Sequence, residues 1–138
     1  MAAIAARTAR VGGNLRPVPN DRVEIRDDPA KGRGLFARLP IAGGALIETA
    51  PVVIVPAVQC ALLDRTILHE YYFRWDEAGS GAVALGLLAL CNHSRRPRAR
   101  VRRNGARETL DLVALAPITA GEEITIDYDC PLWFAPQD

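Results

Sequence analysis

A small, mostly β domain is the fold class this sequence predicts, and three observations predict it. Apolar and β-branched residues fall in short runs, several of them alternating with polar ones. Glycine and proline, 11 and 10 in number, punctuate the 138-residue chain and read as corners between those runs. Helical spacing of apolar residues is confined to one stretch, residues 57–69. The length is that of one domain, and 49% apolar residues are enough for one compact core but not for two.

Composition narrows the function classes. The formal net charge of +1 gives no argument for nucleic acid or an anionic membrane as partner. No apolar run approaches the ~20 residues that span a bilayer, and the N-terminus lacks the continuous apolar stretch of a secretory signal. Cys60, Cys91 and Cys130 are odd in number, far apart and outside any Cys-x-x-Cys pair. They read as reduced thiols of a cytoplasmic protein. Their spacing with His69 and His93 does not support a metal site, so none is expected.

Taken in order, residues 1–21 read as a flexible tail, with Arg7, Arg10 and Arg16 among alanine, glycine and proline. The folded domain is expected over 22–134, with 135–138 a short C-terminal tail. Val23 and Ile25 alternate with Glu24 and Arg26 as a half-buried strand, and Asp27-Asp28-Pro29 turns the chain. Lys31-Gly32-Arg33-Gly34 then runs into the apolar Leu35-Phe36-Ala37; glycines at that spacing let backbone approach a ligand closely. Two corners echo each other: Pro40-Ile41-Ala42-Gly43-Gly44 and Pro117-Ile118-Thr119-Ala120-Gly121 share the frame Pro-Ile-x-x-Gly. Each reads as a turn launching a strand, and the pair is expected to pack in one domain.

Val52 to Val55 is a β-branched run closed by Pro56. Val58, Leu62, Leu63 and Ile67 then mark the single expected helix, and Glu70 to Trp75 an aromatic strand. Ala82 to Cys91 is nearly continuous apolar sequence fit for the deep core, and it runs into the polar Asn92-His93-Ser94. Such side chains either cap the segment or face a ligand. Asn104-Gly105 signals a hairpin between 98–103 and 108–115, with Arg98, Arg100 and Arg102 on one face. This basic run reads first as a solvated face, and nucleic acid as the minority reading. Gly121 to Asp129 follows as an acidic turn, an apolar run and a tyrosine between aspartates.

Four of these segments, in this order, resemble the SET-domain protein lysine methyltransferases, and most nearly the minimal bacterial and viral members. Lys31-Gly-Arg-Gly-Leu-Phe-Ala37 is similar to their opening motif, and Asn92-His93-Ser94 with Pro97 to their Asn-His-Ser-x-x-Pro-Asn motif. Gly121-Glu-Glu-Ile-Thr-Ile-Asp-Tyr128 is similar to Gly-Glu-Glu-Leu-Thr-Phe-Asp-Tyr, and Tyr71-Tyr72-Phe73 lies where the smallest members carry Asp-Tyr-x-Phe. The resemblance implies a β-clip-like fold of several small curved sheets, a C-terminal pseudoknot and one or two short helices. It implies methyl transfer from S-adenosylmethionine to the ε-amine of a lysine in a protein substrate.

Residue by residue, the resemblance makes Tyr128 and Tyr71 the catalytic tyrosines. Lys31, Gly32, Arg33, Gly34, Asn92 and His93 become cofactor-binding residues, with Lys31 or Arg33 available for the cofactor carboxylate. Tyr71, Tyr128 and Trp133 become walls of the lysine channel. The chemistry is consistent: the amine must be neutral, while free lysine has a pKa of about 10.4, so alignment and desolvation are the catalyst's tasks. Glu122 and Glu123 read as turn and strand-edge residues, and Glu48, Asp76, Glu77, Asp127 and Asp129 as acids that attract a basic peptide. Two departures stand out: Arg98 replaces an asparagine and Leu132 a tyrosine. They keep open an alternative, a catalytically weak SET-like module that binds a basic peptide or partner. A homodimer is a further expectation by resemblance.

Overall fold

The computed structural model describes residues 20–128. The expectations for the N-terminal tail, Cys130, Leu132, Trp133 and Phe134 lie outside the described residues. Two sheets carry the architecture. β1 (Val23–Asp28) pairs antiparallel with β2 (Gly32–Ala37) as a two-stranded sheet. The second sheet has five antiparallel strands: β3 (Leu46–Val55), β4 (Tyr72–Arg74), β5 (Gly81–Ala84), β6 (Ala99–Asn104) and β7 (Thr109–Ala114), in the order β4-β5-β3-β7-β6. β3 is its longest strand because its two halves serve different neighbours. Leu46–Pro51 pair with β7 and Val52–Val55 with β5.

The core draws on both β3 and β7, with β7 buried on both faces. Ile47 and Ala50 of β3 and Leu110, Leu112 and Ala114 of β7 are buried, joined by Leu35, Leu88, Ile118, Ile124 and Ile126 in one core. On β6, Ala99 is buried while Arg100 and Arg102 are exposed, as the alternation predicts, and Arg103, on the face of Ala99, is exposed at the strand's end. The echoed corners pair with each other: Ile41 and Ile118 exchange N–H to carbonyl bonds at 2.9 Å in both directions. Gly44 and Gly121 close them with φ of +79° and +89°, a region a side chain would strain.

Four local expectations need correction. The helix over 57–69 is shorter: α1 spans Ala57–Leu63, and a separate 3-10 turn covers Ile67–Glu70. Thr66 divides them, its hydroxyl donating to the Leu63 carbonyl and accepting from the Leu68 N–H. The helical spacing does not mark a core face either, since Val58, Leu62 and Ile67 are exposed and Cys60 is the buried residue of α1. The β6–β7 hairpin forms, but its loop is Gly105–Glu108 rather than a two-residue turn. Asn104 Oδ1 accepts from the Arg107 N–H and Glu108 takes φ +52°. The aromatic strand contracts to β4. In it the Tyr72 hydroxyl donates to Asp64, and that carboxylate, then burial, pushes the phenol up to about 12. The run from Ala82 also leaves the core in places: Leu88 is fully buried, whereas Leu85 is exposed. No helix among the described residues is long and apolar enough to cross a membrane.

The segment after Gly121 is not a ladder strand. It threads between two others, and its backbone is satisfied from both sides. The Ile124 N–H donates to the Leu35 carbonyl and the Ile126 N–H to the Asn92 carbonyl, while Ser94 donates back to Ile126. Arg98 and Ala99 both donate to the Thr125 carbonyl. This crossing is the expected pseudoknot.

Asp111 offers a test of the sheet. It is buried, and its carboxylate accepts from the Thr49 hydroxyl at 2.7 Å and from Arg102 at 3.0 Å. Those two bonds, Thr49 first, hold its carboxyl below the usual range. A folded-state pKa below the unfolded one stabilises above the unfolded value of about 3.9 and is lost as pH falls through the folded value. Asp111→Asn is therefore expected to lower Tm at pH 7, by a difference that shrinks below about pH 4 in parallel thermal melts.

Candidate active site

The site is assembled from side chains far apart in the sequence. At the end of β1, Asp28 Oδ1 accepts from the Ala30 and Lys31 N–H groups at 2.7 and 3.0 Å, forming a tight turn. Gly32 follows at φ +79°, so the turn delivers Lys31 to the start of β2. From the second segment, the 3-10 turn Leu87–Leu90 leads through Cys91 into Asn92-His93-Ser94. The third is the threaded run Glu122–Tyr128.

Glu123 ties the three together. Its Oε2 lies 3.1 Å from Lys31 Nζ and its Oε1 accepts from Asn92 Nδ2 at 2.7 Å. Asn92 Nδ2 also donates to the Arg33 carbonyl at 3.2 Å, fixing which end of the amide points where. The Lys31 and Glu123 side chains are only 17% and 14% exposed, so the pair is screened weakly by water. Gly34 packs directly beneath: a Cβ there would lie 2.7 Å from Glu123 Oε1 and 2.8 Å from Asn92 Nδ2. At Gly32 the space a Cβ would fill is open.

Tyr128 is locked onto the second segment from both ends. Its N–H donates to His93 Nδ1 at 3.1 Å, and its hydroxyl donates to the Cys91 carbonyl at 3.0 Å. The first bond uses the Nδ1 lone pair and assigns the neutral Nε2–H tautomer to His93. Asp127 Oδ1 is 3.7 Å from the same Nδ1, too long for a hydrogen bond, and the N–H contact decides the tautomer. Among the described residues the ring against Tyr128 is that of His93, 5.2 Å away and tilted by 57°. Burial, then the charges of Glu48 and Glu123, push the Cys91 thiol well above its ordinary range.

With this geometry in view, comparisons with known proteins decide the family. The SET domain family model matches residues 32–129. The chain belongs to the SET-domain family. A curated relative from Schizosaccharomyces pombe, "Histone-lysine N-methyltransferase, H3 lysine-37 specific", is 35% identical over 119 residues, covering 86% of this chain and 80% of its own length. The crystal structure of a candidate histone methyltransferase from Plasmodium falciparum superposes with a TM-score of 0.61. It is 23% identical and covers 82% of this chain and 97% of its own, a likeness of fold.

The SET fold thus gathers Lys31, Gly34, Asn92, His93 and Tyr128. It treats other expected residues differently. Lys31 is engaged by Glu123, which leaves the exposed Arg33 as the cation near the glycine turn. Tyr71 sits half-buried at the end of the Ile67–Glu70 turn, its N–H donating to the Leu68 carbonyl. Glu48 does not serve as an acid for a basic peptide, because both its oxygens accept backbone N–H groups, from Leu87 at 2.9 Å and Leu88 at 2.7 Å. Asp76 accepts from the Ser80 N–H and Glu77 pairs with Arg74. Glu122 fits its reading as a turn residue: it bonds Thr119, and that bond holds its carboxyl below the usual range. It also pairs with Arg98 at 3.1 Å, so the arginine that departs from the family motif is tied to the other end of the knot.

Glu123 keeps its expected strand-edge position, bridging to Phe36 of β2, but its carboxylate's role as partner of Lys31 and Asn92 was not foreseen. The signal that would have found it is its place in the same motif as Tyr128. Gly34→Ala is expected to destabilise the protein by about 1–3 kcal/mol in denaturant titrations, because the new methyl meets Glu123 and Asn92. Gly105→Ala, at a site with open space around it, serves as the near-neutral control.

Proposed function

We propose that this chain is a protein-lysine N-methyltransferase that uses S-adenosylmethionine, with Tyr128 as the residue that orients the substrate amine. One observation carries the reading: the Tyr128 hydroxyl is aimed by the Cys91 carbonyl at the crossing of the three motifs.

The residues present fit the cofactor. Gly32 leaves backbone open to close approach. The donors of the Asn92 amide are spent on Glu123 and Arg33, so its Oδ1 is the acceptor suited to an α-ammonium. Arg33 is suited to the α-carboxylate. His93, buried and neutral beside Tyr128, supports the adenine side of the same pocket. When bound, S-adenosylmethionine supplies a methyl group on a sulfonium, open to in-line attack by a neutral amine.

The chain's own task is to present that amine. Lysine arrives as an ammonium in water, and a dry channel disfavours the charged form. The Tyr128 phenol spends its proton on Cys91, which leaves the oxygen's lone pairs to accept an N–H of the amine and turn its nitrogen lone pair toward the methyl. Tyr71 is proposed as the second phenol of the channel and Trp133 as part of its wall. Asp127, exposed next to Tyr128, supports a basic segment as the peptide that carries the lysine.

Incubation with labelled S-adenosylmethionine and a panel of proteins with basic tails tests this. Wild-type protein is expected to transfer label. Tyr128→Phe is expected to reduce transfer by about 100-fold or more while cofactor affinity, read by calorimetry, stays within about twofold. Label no greater than that of the Tyr128→Phe control, with cofactor bound, would remove the enzymatic reading in favour of a binding module.

A further inference from the structure

We infer that Glu48 is a positioning residue for methyl transfer, acting through the turn whose last carbonyl aims Tyr128. This rests on Tyr128 as the amine-orienting residue. Glu48 lies on β3 just after the irregularity in its pairing with β7, with its side chain turned to the start of the Leu87–Leu90 turn. Its two oxygens divide between two donors, Oε1 taking the Leu87 N–H at 2.9 Å and Oε2 the Leu88 N–H at 2.7 Å. These are first-turn N–H groups, which have no acceptor inside the turn.

From there a short path leads to the phenol. The Leu88 carbonyl accepts from the Cys91 N–H at 3.2 Å, and the Cys91 carbonyl accepts from the Tyr128 hydroxyl at 3.0 Å. The middle link is a backbone bond within the turn and the last is the phenol's bond to the backbone, so a shift at the start of the turn moves the acceptor at its end. The clamp also has a built seat. A Cβ on Gly86 would lie 2.7 Å from Ala50 Cβ and 3.0 Å from Glu48 Oε1. Only a carboxylate satisfies both donors, because an amide has one acceptor oxygen and would turn its NH2 toward the other N–H. Asn92, by contrast, is held by Glu123 and Arg33, so the clamp on Tyr128 and the clamp on the cofactor pocket are separate.

Two substitutions disturb the clamp from opposite sides, Glu48→Gln and Gly86→Ala. Either is expected to lower kcat by roughly 10- to 100-fold, the scale of a small misplacement of a catalytic group, with the Kd for S-adenosylmethionine unchanged. If one of them fails to fold, the other carries the comparison. In the Tyr128→Phe background, with residual turnover followed by mass spectrometry, neither is expected to lower kcat further, since no hydroxyl is left to aim. A merely structural role would multiply with Tyr128→Phe. That result, or unchanged kcat in the single variants, overturns the assignment while leaving Tyr128 in place. Tyr128→Phe without loss of activity removes both readings.

Discussion

The rest of the structure depends on how one buried stretch of backbone is satisfied. Ile124, Thr125 and Ile126 are 0%, 5% and 1% exposed, and buried N–H and carbonyl groups must find partners. Among the described residues this segment makes isolated bridges, not a ladder. Its bonds come from Leu35 on one side and from Asn92, Ser94, Arg98 and Ala99 on the other. Meeting that demand draws the glycine turn, the Asn-His-Ser segment and the tyrosine to one place. The loops closed in doing so are long, but the entropy cost grows only with the logarithm of loop length. Site and knot are one feature, so the site cannot be kept while the knot is lost.

Three carboxylates, Asp111 buried and Glu48 and Glu123 half-buried, are each matched to donors. Glu123 is shared by an ammonium and an amide, Glu48 by two backbone N–H groups, and Asp111 by a hydroxyl and a guanidinium. Ion pairs of this kind add little net stability, because desolvation offsets much of the attraction. Their effect is on geometry. Glu123 allows one arrangement of the Asn92 amide, and Glu48 one start for the turn that ends at Cys91. The small residues Gly34 and Gly86 follow from the same requirement, since a methyl at either meets the carboxylate it serves.

How much of this was legible depended on the range of the interaction. The Pro-Ile corners, the 98–115 hairpin and the alternation of β6 are local patterns, and the structure keeps them. The helix over 57–69 was misjudged in length because Thr66 acts as both a stop and a cap, an effect of one hydroxyl that apolar spacing does not register. It was misjudged in burial because periodicity shows that a face is apolar, not that anything covers it. Tyr128, Asn92 and the glycine turn were legible because motif order carries three-dimensional information. Glu123 and Glu48 were not, because their partners lie 92, 31, 39 and 40 residues away, and a carboxylate bound to backbone leaves no mark on the partner's identity.

The residue that aims Tyr128 is a cysteine, and its side chain poses a chemical problem that the fold resolves. A thiolate is a far better nucleophile toward a methyl sulfonium than a lysine amine, so an ionised Cys91 beside the proposed cofactor pocket would compete for the methyl group. Cys91 is almost wholly buried, and burial together with the negative Glu48 and Glu123 pushes its thiol well above the ordinary range. Both effects disfavour the thiolate. Burial first, and then the two carboxylates that fix the geometry of the site, thus make the thiol a poor competitor, and Cys91 serves through its backbone. In a dry channel desolvation acts in the opposite sense on an incoming lysine, favouring the neutral amine that the reaction needs.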